Sequence, residues 1–303
     1  MSLHIIDKNK IQKYVPTCIW EFIRLKFILQ SHRKVSKQMK DLLKLYNSSK
    51  DVVIRAKQNP DSPIIWQYWG QGFVGDALPD LIKLCFLSVD KYKGNFKVVR
   101  LSDDNLDEWI ELPSFIVSKY KKGEISQAHY SDIIRLALLH SYGGLWLDAT
   151  IFLSGPLPQY VTSAEWFMYQ RDPYQEDKRL WRRTYAYYFG WHKNFKVRLL
   201  NSVIYSRQGS KVMGDLLQLL ILYWQSASCA EDYFFFQILF EEYISQCPEN
   251  NCMIMSDCIP HYLQMFLTGS YIKYDLCEIL EKTTLHKMSH KSISAKQLQR
   301  IFN

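Results

Sequence analysis

The sequence predicts an α/β fold, with parallel strands in its first half and a helix-rich second half. Three observations predict it. Residues 64–101 read as strand, helix, strand. Ser126 to Thr150 (SQAHYSDIIRLALLHSYGGLWLDAT) reads as an apolar helix, a Gly-Gly stop and a short interior strand. The last third carries mostly helical apolar spacing. Strand–helix–strand units imply parallel pairing with a right-handed crossover. At 303 residues, 48% apolar and 22% charged, the chain is long enough to bury a sizeable core and ordinary for a globular protein; its 15% aromatic content is high.

From the N-terminus, residues 1–50 carry eleven Lys and Arg against three acids, which accounts for the whole formal charge of +8. Placed on a helix, residues 25–46 gather Lys26, Arg33, Lys34, Lys37, Lys40 and Lys44 on one side. Leu25, Ile28, Val35, Met39, Leu42, Leu43 and Tyr46 fall on the other. Such a helix either lies on an anionic membrane surface or packs its apolar face on the rest of the protein. With the remainder neutral and no nucleic-acid module in view, no nucleic-acid partner is expected. Asn47 to Pro63 is polar and reads as a linker.

Ile64–Trp66 begins a strand, Pro79–Val89 has helical spacing and Phe96–Leu101 alternates as a second strand. Gly70, Gly72 and Gly75 spell GxGxxG after the first strand, and Asp103 follows the second, so an NAD(P) site is one alternative. Against it, Pro79 starts the helix beyond the last glycine, and Trp66, Tyr68 and Trp69 crowd the turn. Asp103 or Asp104 is placed to cap a short helix ending before Pro113, and another runs to Lys122.

In Ser126–Thr150, Ile133, Ile134 and Leu136–Leu139 make a buried helix, with Gly143 at its end. Leu145–Leu147 follows as a buried strand and delivers Asp148 at its carboxyl end, the edge of an α/β sheet where ligands bind. Asp132 and Arg135 sit on the apolar helix; charges there are costly unless they pair or bind something. An internal ion pair plus a capping Asp148 is the structural alternative.

From Trp166 to Phe195, eleven of thirty residues are aromatic, interleaved with Arg171, Arg179, Arg182 and Arg183: either core, or a surface that stacks on sugars and holds phosphates. Helices are expected at Phe195–Ser206, Lys211–Gln225 and Glu231–Gln246, with Glu231 and Asp232 as N-terminal acids of the third. Seven cysteines without CxxC spacing read as reduced thiols. Without a membrane-length apolar run or a signal-peptide pattern, a cytoplasmic location is expected, with contact at the inner face of the membrane through residues 1–50.

The stretches IIWQYWGQG (64–72), HYSDIIRLALLHSYGGLWLDAT (129–150), NSVIYSRQGS (201–210), EDYFFFQ (231–237) and LHKMSHK (285–291) together resemble the bacterial capsular polysaccharide synthesis proteins, sugar transferases related to the Asp-x-Asp type. The resemblance implies a GT-A type, Rossmann-like nucleotide-sugar-binding fold with a helical extension at 1–60, a donor half at 61–160 and an acceptor half with a closing segment at 161–303. It implies a nucleotide-sugar donor, a glycan or lipid-linked acceptor, retention of configuration and Mn²⁺ or Mg²⁺. By the same likeness Trp66 and Tyr68 lie at the nucleotide, Asp132, Arg135 and Asn201 at the donor sugar, and Asp148 at the ribose and metal. Asp232 faces the acceptor, Lys287 the diphosphate, and His286 is a candidate metal ligand. One departure is plain: Thr150 stands where the second acid of Asp-x-Asp is expected. A non-catalytic glycan-binding role is therefore a further alternative.

Overall fold

The computed structural model describes residues 16–46, 54–73, 78–270 and 273–302. Gly75 and the parts of the basic extension at 1–15 and 47–53 lie outside them. The first helix, α1 (Thr17–Tyr46), starts before the expected Leu25. The strands β1 (Arg55–Ala56) and β2 (Ile64–Tyr68) follow, then α2 (Asp80–Tyr92) and β3 (Lys97–Leu101). The region expected as a short helix before Pro113 is instead one 3-10 turn and a two-residue strand, β4 (Ile110–Glu111), paired with β1. Then come α3 (Ser114–Lys121), α4 (Gln127–Tyr142), β5 (Gly144–Leu147), β6 (Ile151–Leu153), α5 (Gln159–Thr162), β7 (Trp166–Gln170) and α6 (Lys178–Thr184). The chain continues through β8 (Leu199–Ser206), α7 (Lys211–Ser226), α8 (Phe235–Gln246), α9 (Tyr262–Leu267), α10 (Leu276–Lys282), β9 (Leu285–Lys287) and α11 (Ala295–Phe302).

The central sheet has the order β3-β2-β5-β8-β7. β2 pairs parallel with β3 and β5, as the strand–helix–strand reading requires; β8 runs antiparallel to both β5 and β7. Here the helix expected at Phe195–Ser206 is corrected to a strand. Its apolar positions suit either periodicity, but β-branched Val203 and Ile204 with Tyr205 favour a pleated surface. The vacant edge of β5 supplies the ladder, in which Trp146 faces Ile204. A separate antiparallel pair, β6 with β9, brings the C-terminal segment back to the sheet's carboxyl edge.

Two glycines explain the tight passage from α4 to β5. Gly143 has φ 69° and caps α4 by donating its N–H to Leu139 O. Gly144 has φ 98°, and a Cβ there would lie 2.3 Å from Ile64 O. No other residue lets β5 enter beside β2.

The apolar side of α1 is covered. Ile28, Val35, Met39, Leu42 and Leu43 are buried in the main core together with Phe235, Phe236 and Leu239 of α8. Polar contacts fix the register: Ser36 Oγ donates to Glu242 Oε1 at 2.7 Å, and Lys40 Nζ lies 3.5 Å from Glu242 Oε2. The aromatic span is mostly core: Trp166, Phe167, Tyr169, Trp181, Phe189 and Phe195 are buried. Arg171 is buried too, donating to both oxygens of Asp257 at 2.8 Å rather than reaching solvent. All seven cysteines are free thiols. No helix among the described residues is long and apolar enough to cross a membrane.

Candidate active site

A cavity of about 430 Å³ opens at the carboxyl edge of β2 and β5, within the roughly 300–1,000 Å³ common for small-molecule sites. α4 supplies one wall, because Ser126 starts it with a side chain that accepts from His129 N, and the i,i+3 spacing then presents Asp132 and Arg135 side by side. β5 supplies Asp148, β8 supplies Asn201 and β9 supplies Lys287.

These five side chains are one network. Arg135 donates from Nη1 to Asn201 O at 2.5 Å and from Nη2 to Ser131 Oγ at 2.8 Å, with its guanidinium 5.0 Å above the Trp146 ring. It lies 3.5 Å from Asp132 Oδ1 and 3.7 Å from Asp148 Oδ1. Asn201 Nδ2 donates to Asp132 Oδ1 at 2.8 Å. Trp146 Nε1 donates to Asp148 Oδ1 at 2.9 Å, and Lys287 Nζ donates to Asp148 Oδ2 at 3.0 Å and to Thr150 Oγ1 at 2.6 Å.

The two carboxyls are pushed apart by their surroundings. Burial raises Asp132, with Arg135 opposing only in part. Burial acts on Asp148 as well, but Lys287 and Arg135, with hydrogen bonds from Ser202 and Trp146, outweigh it and hold this carboxyl well below the usual range. A pair of titratable groups separated in this way is typical of reaction centres.

The cavity gathers Tyr68, Asp132, Arg135, Asp148, Asn201 and Lys287. Three of the sequence candidates do not line it. Trp66 is fully buried behind the strand, its Nε1 donating to Gly143 O at 2.9 Å and its ring set edge-on to Trp109. Asp232 sits ahead of α8, which starts at Phe235 rather than Glu231; it accepts from Phe234 N at 2.9 Å and from Ser31 Oγ of α1 at 2.6 Å. His286 points away from Lys287 on β9 and is wholly buried, with its Nε2 2.8 Å from Ser154 Oγ and its Nδ1 without a partner.

Other residues complete the walls. Trp69 lies just past the end of β2 with a buried, unpartnered Nε1, and its ring meets His290 at 6.0 Å. Its sequence signal was its place after the strand, where the chain reaches the ligand edge. Tyr233, Gln237 and His261 also line the cavity. His261 Nδ1 is 2.8 Å from Asp257 O, which fixes the proton on that nitrogen and leaves Nε2 as an acceptor. Burial lowers its pKa to about 4, so the ring is neutral at pH 7. Nothing in the sequence around His261 marked it.

Gly70 and Gly72, the described part of the glycine turn, do not lead directly into a helix. Among the described residues the next helix after Gly70 and Gly72 begins at Asp80, whereas a pyrophosphate-binding turn runs directly into a helix N-terminus. Tyr68 Oη donates to Asp103 Oδ1, and Tyr120 Oη to Asp103 Oδ2 at 2.8 Å, so that acid is already engaged. A metal fares no better on the donor set. Among the described residues no three His, Cys, Asp or Glu side chains converge. Both oxygens of Asp148 are engaged, His286 is elsewhere, and position 150 offers a hydroxyl already accepting from Lys287. A hard divalent ion takes six or more oxygens, and the two carboxylates on the cavity, Asp132 and Asp148, are each already ion-paired to Arg135 or Lys287, so these side chains by themselves do not make up such a set.

A family profile described as "Capsular polysaccharide synthesis protein" matches residues 18–303. An uncharacterized protein of Arabidopsis thaliana is 30% identical over 83 residues, which cover 26% of this chain and 13% of that protein's length. Among solved structures, the chain titled PaToxG Glycosyltransferase is similar at 12% identity and a TM-score of 0.37, with 92% of this chain and 94% of that chain covered.

Proposed function

The chain belongs to the capsular polysaccharide synthesis protein family, and from that premise we propose that it is a glycosyltransferase of GT-A type. It moves a sugar from a nucleotide-sugar, of the UDP class, to a growing capsular or other surface glycan. The observation that carries this reading is the convergence of Asp132, Arg135, Asp148, Asn201 and Lys287 on one cavity at the sheet's carboxyl edge.

The roles in this proposal are assigned with the support of that convergence. Trp69 and Tyr68 form the aromatic wall for the nucleotide. Asp148, ionised and fixed, accepts ribose hydroxyls. Arg135 and Lys287 face the diphosphate, where the carbon–oxygen bond to the anomeric carbon breaks and its electron pair leaves with the oxygen. Asp132 stabilises the oxocarbenium-like sugar. Tyr233, Gln237 and His261 bound the side from which the acceptor hydroxyl attacks. In front-face, retaining transfer that hydroxyl's proton passes to the departing diphosphate. If the outcome is inversion, His261, whose Nε2 is an acceptor on this wall, serves as the base.

The acceptor we propose is lipid-linked. Outward on α1, Ile19, Phe22 and Phe27 are 49%, 57% and 67% exposed beside exposed Lys26, Arg33 and Lys37, a composition suited to an anionic membrane surface. The test is a thermal-shift titration with nucleotide-sugars and with NAD(P). Stabilisation by a nucleotide-sugar is expected, and stabilisation by NAD(P) alone contradicts the reading.

A further inference from the structure

Departure of a nucleoside diphosphate adds a negative charge to phosphate oxygens, and some cation has to meet it. Lys287 is placed to do so by backbone structure rather than by its own flexible stem. β9 pairs antiparallel with β6 so that Ile151 faces Lys287, and Met288 N donates to Thr150 O at 2.9 Å. The strand pair therefore stitches the lysine to the chain just after Asp148. Its Nζ then donates to Asp148 Oδ2 and Thr150 Oγ1. An ammonium has three donors, and among the described residues the third is left for a ligand oxygen.

The charge count is what gives Thr150 its meaning. Two carboxylates with a divalent ion sum to zero; one carboxylate, one hydroxyl and one ammonium also sum to zero. Before a diphosphate arrives, a divalent ion beside Lys287 would set two cationic centres against the single Asp148 carboxylate, at side-chain exposures of only 23% for Lys287 and Asp148.

We propose that the Lys287 ammonium, held between Asp148 and Thr150, is the resident cation of this site. It neutralises the departing diphosphate together with Arg135, and the chain binds and cleaves nucleotide-sugars without a divalent metal. The inference rests on the glycosyltransferase reading. In the step, the bond from the anomeric carbon to the diphosphate oxygen breaks with its electron pair on oxygen. The acceptor oxygen bonds to that carbon, and its proton goes to the nucleoside diphosphate.

The experiment measures nucleoside diphosphate release from a nucleotide-sugar panel, and calorimetric binding of UDP, in EDTA and in Mn²⁺. Wild-type protein is expected to turn over within about two-fold of the same rate in both and to bind UDP in both. Lys287→Met is expected to lose roughly 10²–10³-fold in rate, the scale of one electrostatic donor. Lys287→Met with Thr150→Asp is expected to recover part of that loss only in Mn²⁺. Turnover by the wild type that vanishes in EDTA and returns with Mn²⁺ overturns the inference while leaving the glycosyltransferase reading standing; this arm needs no variant to fold. Failure to bind or cleave any nucleotide-sugar in either condition overturns that reading, and the inference with it.

Discussion

At the residue scale, the cavity holds a carboxyl that the fold makes costly. Asp132 is 4% exposed and its carboxyl is raised by burial, so its ionised form works against stability at neutral pH. Asp132→Asn relieves that cost, and an amide oxygen can still accept from Asn201 Nδ2. The expected result is an unchanged or higher melting temperature with transfer reduced about 10²-fold; a lowered melting temperature with intact transfer would make Asp132 structural. Arg135→Lys tests the opposite partner. A lysine cannot reach Ser131 Oγ and Asn201 O at once or lie flat on Trp146, so kcat/KM is expected to fall although the charge is kept. Much of this was readable from sequence, because Asp132, Arg135 and Asp148 lie within one helix–strand unit whose geometry is local. Trp66 and Trp69 were not separable: the wall position depends on where β2 ends, and a difference of three residues decides between core and cavity.

At the element scale, α1 is both part of the core and an outward surface. Its apolar face completes the packing of α8, and Glu242, 1% exposed, depends on Ser36, Lys40 and Lys196 for its partners. Removing residues 1–50 would uncover that face, so truncation does not isolate a membrane role. Met39→Ala, at a wholly buried position, is expected to cost about 2–5 kcal/mol, read from denaturant midpoints. The membrane contact is tested on the exposed side instead. Charge reversal at Lys26, Arg33 and Lys37 is expected to abolish sedimentation with anionic vesicles, each charge contributing about 1 kcal/mol, while transfer to a soluble acceptor persists. Undiminished vesicle binding would refute it. β8 shows what local pattern cannot supply. Its residues suit helix or strand, and the choice was made by an open edge on β5, contributed by residues some sixty positions away in sequence. Likewise Glu231 and Asp232 look like helix-opening acids, yet α8 starts at Phe235 because both acids are held by α1, through Lys34 and Ser31.

At the scale of the whole molecule, buried neutral histidines make stability depend on pH. Burial lowers His32 to about 4 and His286 to about 3, against an ordinary value near 6.5. The unfolded chain therefore binds more protons than the folded one between pH 6.5 and about 4, and stability falls as pH falls through that window. Each histidine contributes a slope of up to about 1.4 kcal/mol per pH unit there. Melting temperature measured from pH 7.5 to 4.5 is expected to drop, and His286→Leu is expected to flatten the curve by one proton's worth; an unchanged slope would contradict the assignment.

The fold's parallel half was legible from its strand–helix–strand period, and the family from five separated motifs. What sequence could not give is the meeting of distant parts: β9 closing on β6 to set Lys287 against Asp148, and His261 arriving on the acceptor wall. The β6–β9 and Lys287–Asp148 contacts join residues more than a hundred positions apart, and no local periodicity encodes any of these meetings. The most direct test of the whole is nucleoside diphosphate release from a nucleotide-sugar panel by the wild type beside Asp148→Ala. Turnover of at least one nucleotide-sugar by the wild type is expected, with loss of roughly 10²-fold or more in a variant that still folds; full turnover by Asp148→Ala would contradict the proposed site.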